Sequence, residues 1–447
     1  MQIKLSTLWT QLRGSFWFLP TLMSIGAFLL GIGMLWIDQT GWIDPSSNSA
    51  WFYSGSPDGV RSLLSTIAGS MISVAGVTFS ITIATLSLAS SQLGPRLLQN
   101  FMNDRGNQVA LGTFVSVFVY CVVILRSIRS GEDFTFVPHL SVIVAMLLTA
   151  FSLGVLIYFF HHVSIIIQAQ NVIAEIGEDL QASIDRLIEP NAGQQKYEKN
   201  LRNEDDIPSD YDENAVKLTG HKSGYLQTID YESMLEIATE NDLVMKTLFR
   251  PGDFIAETSD VITFYPSKAL DEELEEKIRS AFTLGAQRLQ IQDVEFAIDQ
   301  LVEVAARALS PGINDPFTAI SCLDQIATRL SNLASRKIPT GYYYDEEDNL
   351  RIVSETVTFS GLVNSAFDKI RQYARTDVAV TMRMLESLAI IMTRTSTDTQ
   401  REALIRQADM IKRAVEAKIF EENDREEILS RYYMVVRAES PQEHVTD

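Results

Sequence analysis

Cysteine is nearly absent: Cys121 and Cys322 are the two in 447 residues. The first falls inside an apolar run and the second inside a stretch with helical periodicity. That excludes a disulfide framework and a cysteine-based metal site, and both thiols read as small buried hydrophobes. Histidine is scarce too, at five, and two of those, His161 and His162, adjoin at the end of an apolar run. No P-loop, nucleophile elbow, zinc-ligand cluster or dinucleotide fingerprint occurs. The expectation is therefore a protein that is not an enzyme, with no catalytic residue, cofactor or metal.

Positive charge is also in deficit, with 37 Lys and Arg against 57 Asp and Glu, a formal net charge of −20. The deficit is local. Residues 1–168 carry seven basic and six acidic side chains, so the remainder carries 30 and 51, or −21. Such acidity disfavours nucleic acid and anionic lipid surfaces as partners. The first third reads as membrane-like and the rest as a soluble acidic region.

What is present in abundance is long uncharged sequence. Ser62–Ser91 (SLLSTIAGSMISVAGVTFSITIATLSLASS) has no charged residue and is long enough to cross a bilayer. Ser62, Thr66, Gly69, Ser73, Gly76 and Ser80 recur at three- and four-residue steps, which sets them on one helical stripe. Thr78, Thr82 and Thr85 form a second polar line beside its lower half. A polar stripe must turn from lipid. It can pack against another helix, as small-xxx-small faces do, or it can line a water-filled path where hydroxyls replace part of an ion's hydration shell. Both hold if copies of the helix surround an axis.

Three further spans complete the set, giving spans at about 16–37, 62–91, 109–128 and 138–167. The first is too long for a signal-peptide core and lacks a cleavage site, so it is retained. The aromatic loop that follows it, with Trp42, Trp51, Phe52 and Tyr53, suits a membrane–water interface. His161 and His162 belong at the interfacial end of the fourth span, a proton relay being the alternative. Four spans put both termini on one side. The Lys/Arg bias of the loops is thin, so orientation leans on the missing signal and missing disulfides: a multi-pass protein of a bacterial inner membrane, with the large C-terminal region cytoplasmic.

Beyond the spans, residues 169–189 read as an amphipathic helix continuing the fourth span and stopping at Pro190. Residues 190–219 are a polar linker, 220–267 a small β-barrel-like module, and 268–447 a mainly helical domain. Within that domain, Asp271–Leu289 and Val294–Leu309 read as amphipathic helices. SPGINDP makes a turn in which Gly312 permits the bend, Asp315 caps the next helix and Pro316 is its first residue. Asn314 and Asp315 are explained by that turn; ligand binding is the alternative. The acidic run Asp345–Asn349 lacks EF-hand spacing and reads as a solvated turn between two strands. The fold class is thus an α-helical membrane domain plus a cytoplasmic α+β domain.

LASSQLGPRLLQNFMNDRGNQ, after the second span, and ARALSPGINDPFTAISCLDQ, in the soluble part, are carried together by one known family. On these stretches the chain resembles bacterial predicted inner-membrane proteins, the domain-of-unknown-function family numbered twenty-two fifty-four. The resemblance implies four N-terminal spans and a cytoplasmic C-terminal region, and no activity. It marks Gln92, Pro95 and Arg96, with Gly312, Asn314, Asp315 and Pro316, as positions to test.

The leading functional expectation is a homo-oligomeric ion channel in contact with membrane lipid and inorganic ions. Ser73, Gly76, Ser80, Thr82 and Thr85 would line its pore. Arg61, Gln92, Arg96 and Arg105 would stand at its mouths, and the soluble region would gate it. Acidity near the inner mouth tilts the expectation toward cations, while those arginines pull against it. The competing class is a non-conducting anchored scaffold whose acidic domain binds a protein or small ligand.

Overall fold

A computed structural model describes residues 16–40, 56–94, 104–130, 135–166, 168–188, 206–266, 272–417 and 421–439. The chain divides into two compact units, residues 1–171 and 172–447.

The first unit contains α1 (Phe18–Thr40), α2 (Pro57–Leu93), α3 (Arg105–Ser127) and α4 (His139–Ile166), with the two-residue strands β1 (Arg129–Ser130) and β2 (Thr135–Phe136) between α3 and α4. All four helices are long and apolar enough to cross a membrane. Helix starts follow from capping chemistry. Ser56 accepts from the Gly59 N–H with Pro57 at the first helical position, and Asp104 accepts from the Gly106 and Asn107 N–H groups. α3 is the central helix and the most buried of the four. Its Phe114, Tyr120, Cys121 and Ile124 meet Leu64, Val142 and Phe159 in one apolar core. Asp38 lies within α1 and caps α4, accepting from the Leu140 and Ser141 N–H groups at 3.0 Å each. Its carboxylate thereby satisfies donors that the first turn of a helix leaves open.

The second unit is α+β. In chain order its elements are α5 (Ala169–Ile188, crossing the division), α6 (Tyr211–Asn214), β3 (Val216–Thr219), β4 (Gly224–Ile229), α7 (Tyr231–Glu240), β5 (Val244–Thr247), β6 (Phe254–Ile255) and β7 (Asp260–Tyr265). Then come α8 (Glu272–Ser280), β8 (Phe282–Gly285), α9 (Val294–Ala308), α10 (Pro316–Ala334), β9 (Tyr342–Tyr344) and β10 (Leu350–Val353). The chain ends in α11 (Phe359–Tyr373), α12 (Val378–Met392), α13 (Asp398–Glu416) and α14 (Glu422–Glu439). Five strands pair in the order β3-β7-β5-β10-β9, with only β5–β10 parallel, and three more pair antiparallel as β6-β4-β8.

Three local expectations are corrected. The strands of 220–267 close into no barrel. They split between two open sheets, and the larger one recruits β9 and β10 from about ninety residues downstream along the chain. The helix expected over Asp271–Leu289 stops at Ser280, because the β-favouring Phe-Thr-Leu that follows fills the free edge of β4, pairing Phe282 with Ile229 and Leu284 with Leu226. The segment taken for linker supplies β3, where Leu218 alone is buried among polar neighbours. α4 ends at Ile166 and α5 begins at Ala169.

Candidate functional site

Along α2, Val60, Leu64, Ile67, Ala68, Met71, Ala75 and Thr78 are buried within the first unit. Their three- and four-residue spacing makes one seam. Ser62, Thr66, Gly69, Ser73, Gly76 and Ser80 lie on the other side and are all exposed. The stripe therefore faces away from its own bundle. A Cβ added at Gly69 or Gly76 would meet nothing within 4 Å.

The hydroxyls on this face are not idle. Thr66, Ser73 and Ser80 donate to the carbonyls of Ser62, Gly69 and Gly76 at 2.8, 2.8 and 2.9 Å, each one turn back. Thr82 does the same to Thr78 at 2.9 Å. Such back-bonding consumes the only hydroxyl proton and leaves the oxygen lone pairs as acceptors, so the surface on offer is electronegative. The five pore candidates part company here. Ser73, Gly76 and Ser80 share the exposed face; Thr82 and Thr85 are half-buried, near the buried Thr78.

Of the mouth candidates, Arg61 donates to the carbonyl of Ile128 at 3.0 Å and lies 3.8 Å from Asp58. It thus caps the C-terminal end of α3, where cations are favoured. Arg105 is exposed on the first turn of α3. The side chain of Gln92, and Pro95 and Arg96, lie outside the described residues. One polar contact escaped sequence reading. His162 Nε2 lies 2.8 and 3.0 Å from the two Asp104 oxygens, joining α4 to the start of α3, and its ring stacks on Tyr158. A side chain at Gly106 would overlap that imidazole. His161 is exposed and takes no part. The only signal in the sequence was a helix-capping Asp and a histidine 58 positions apart.

The loop candidates do come together. The N–H groups of Ile313 and Asn314 donate to the Ser310 carbonyl, and that of Asp315 to the Ala308 carbonyl. Asp315 caps α10, accepting from the Thr318 N–H at 3.2 Å and its hydroxyl at 2.6 Å. The bend needs a left-handed residue at Asn314, whose φ is +51°, and not at Gly312. Asparagine tolerates that region through its short polar side chain. Asp345 organises its own turn, accepting from the N–H groups of Glu347 and Asn349 and from Arg351 Nε. Among the described residues no group of three or more His, Cys, Asp or Glu is placed to hold a metal ion.

Residues 13–390 match the family described as predicted membrane protein (DUF2254), and the chain belongs to it. It is also 28% identical over 429 residues to uncharacterized proteins of Mycobacterium bovis and Mycobacterium tuberculosis, covering 94% of this chain and 79% of each relative. No solved structure matches it.

Proposed function

We propose that the protein is a homo-oligomeric ion channel of a bacterial inner membrane, its path lined by α2. One observation carries this reading: α2 packs on its own protomer through an apolar seam and turns Ser73, Gly76 and Ser80 outward. Four spans are too few to enclose a path within a protomer. Copies assembled about an axis would bring these faces to a shared centre, where back-bonded hydroxyl oxygens present acceptors to a cation. The acidic second unit, expected on the cytoplasmic side with both termini, would raise the local cation concentration and gate the path. In this reading the protein is no enzyme, and its partners are lipid, inorganic ions and copies of itself.

A non-conducting anchored receptor is favoured by one feature, the internal satisfaction of the hydroxyl donors, which lets the same face pack dry. Flux from sealed proteoliposomes separates the two. Ion flux that Ser80→Trp abolishes, with assembly intact, supports the channel. Vesicles that stay sealed under every cation and anion gradient support the receptor.

A further inference from the structure

The second unit holds a cavity of about 110 Å³ lined by the last turns of α5, the first residue of α7, the turn before β6 and the segments preceding α9, β9 and α11. Its apolar wall includes Leu187, Val294, Tyr343 and Val357, with Tyr343 stacked on Tyr231 at 4.8 Å between ring centres. Two arginines reach it, and they differ. Arg250 is neutralised by Glu295 at 2.8 Å. Arg186 is held by neutral acceptors, donating Nη2 to the Ser183 hydroxyl at 2.9 Å and to the Gln290 carbonyl at 3.1 Å. The half-buried Asp179 feels its charge, and no ion pair of Arg186 occurs among the described residues. None of these bonds uses the Nε or Nη1 donors of Arg186.

The same cavity is lined by Glu355, an exposed carboxylate with no ion pair among the described residues. The cavity lining thus offers a guanidinium whose Nε and Nη1 those bonds leave unused, a carboxylate with no ion pair among the described residues, and an apolar wall. Its size is below the 150 Å³ of a cavity that encloses benzene. That suits a branched alkyl group inside, with the polar end at the opening.

We propose that this cavity binds a small zwitterion of amino-acid size, its carboxylate on Arg186, its ammonium on Glu355 and its aliphatic side chain on Leu187, Val294 and Val357. A guanidinium takes a carboxylate through paired donors, which fixes orientation as well as charge. The exposed Glu355 adds selectivity for the ammonium more than affinity, as solvated pairs do. So small a ligand has an affinity in about the millimolar range. The inference concerns the second unit and stands or falls apart from conduction.

The test is equilibrium dialysis of the full chain in detergent with leucine, 4-methylpentanoate (no ammonium) and isoamylamine (no carboxylate). Leucine is expected to bind, with 4-methylpentanoate weaker and isoamylamine weakest. Arg186→Gln weakens leucine and 4-methylpentanoate by about threefold, the exposed guanidinium being discounted by solvent like Glu355. Glu355→Gln weakens leucine by about threefold and leaves 4-methylpentanoate unchanged. Arg186 and Glu355 are both exposed, so these variants fold; Thr356→Phe, which adds bulk to the cavity lining and removes no charge, abolishes binding of all three. The proposal is overturned if leucine does not bind at about 20 mM, if isoamylamine binds as well as leucine, or if Arg186→Gln or Thr356→Phe retains wild-type affinity.

Discussion

At the scale of single residues, Asp345 shows how the environment of one carboxylate becomes a dependence on pH. Burial pushes its titration up, but the Asn349 N–H, Arg351 and the Asn349 side chain together hold it below the usual range. A carboxyl depressed in the folded state stabilises above the ordinary aspartate range, and that contribution is lost as pH falls through the folded value. Asp345→Asn is therefore expected to cost about 1–3 kcal/mol at neutral pH, and the gap to wild type should close on acidification. Urea unfolding at several pH values checks both. The turn itself was legible in sequence, since its donors lie within six positions. The Asp104–His162 contact was not, because nothing local ties two residues on different helices. Gly106→Ala pushes the imidazole off Asp104 and is expected to lower the melting temperature of the full chain, whereas Gly33→Ala, with open space around it, leaves it unchanged. Burial raises the Cys322 thiol far above its ordinary range, so N-ethylmaleimide should label it only after unfolding.

At the scale of elements, helices were readable where apolar residues recur over several turns, as in α5, α9 and α10. Strands were missed where they are four residues long and their partner is distant: β3 hides one buried leucine among polar neighbours, and β8 follows a helix after one residue. The identity of α5 as part of the second unit also rests on side chains far apart in sequence. Arg329 donates to the Gly177 carbonyl at 3.0 Å and pairs with Glu178 at 2.8 Å; Asn332 meets Gln181, and Arg336 meets Asp185 at 2.7 Å. These contacts lie about one turn apart along α5 and clamp it along α10 and the residue just past its cap. Gly177 permits the approach, since any side chain there would overlap Gln325. Gly177→Leu is expected to destabilise the second unit by about 1–3 kcal/mol despite the better helix propensity of leucine. Arg329→Ala, which loses two polar contacts and introduces no overlap, is expected to cost less. Chemical denaturation followed by far-ultraviolet circular dichroism ranks the pair.

At the scale of the whole molecule, the contrast between a nearly neutral first unit and an acidic second one follows from their surroundings. The first exposes Leu147, Phe151 and Ile157, which only lipid or another helix can cover; the second buries Leu226, Met245 and Ile262 of its strands in one core with Met234 and Leu235 of α7. On α2 the exposed face mixes two kinds of residue, Ile72 and Val77 beside Gly69, Ser73 and Gly76. Lipid contact accounts for the first kind and gives no reason for the second, since a lipid-facing position accepts leucine as readily as glycine. That asymmetry yields a discriminating pair of substitutions. A Cβ at Gly69 or Gly76 meets nothing within 4 Å among the described residues, so with Gly69→Leu or Gly76→Leu the protomer should remain folded. A close neighbouring α2 would be displaced by both, and native mass spectrometry from detergent should then show loss of the oligomer, while Leu147→Ala on α4 leaves its size unchanged. If both leucine variants keep the wild-type mass, no second helix approaches this face, and a path lined by Ser73 and Ser80 has no second wall.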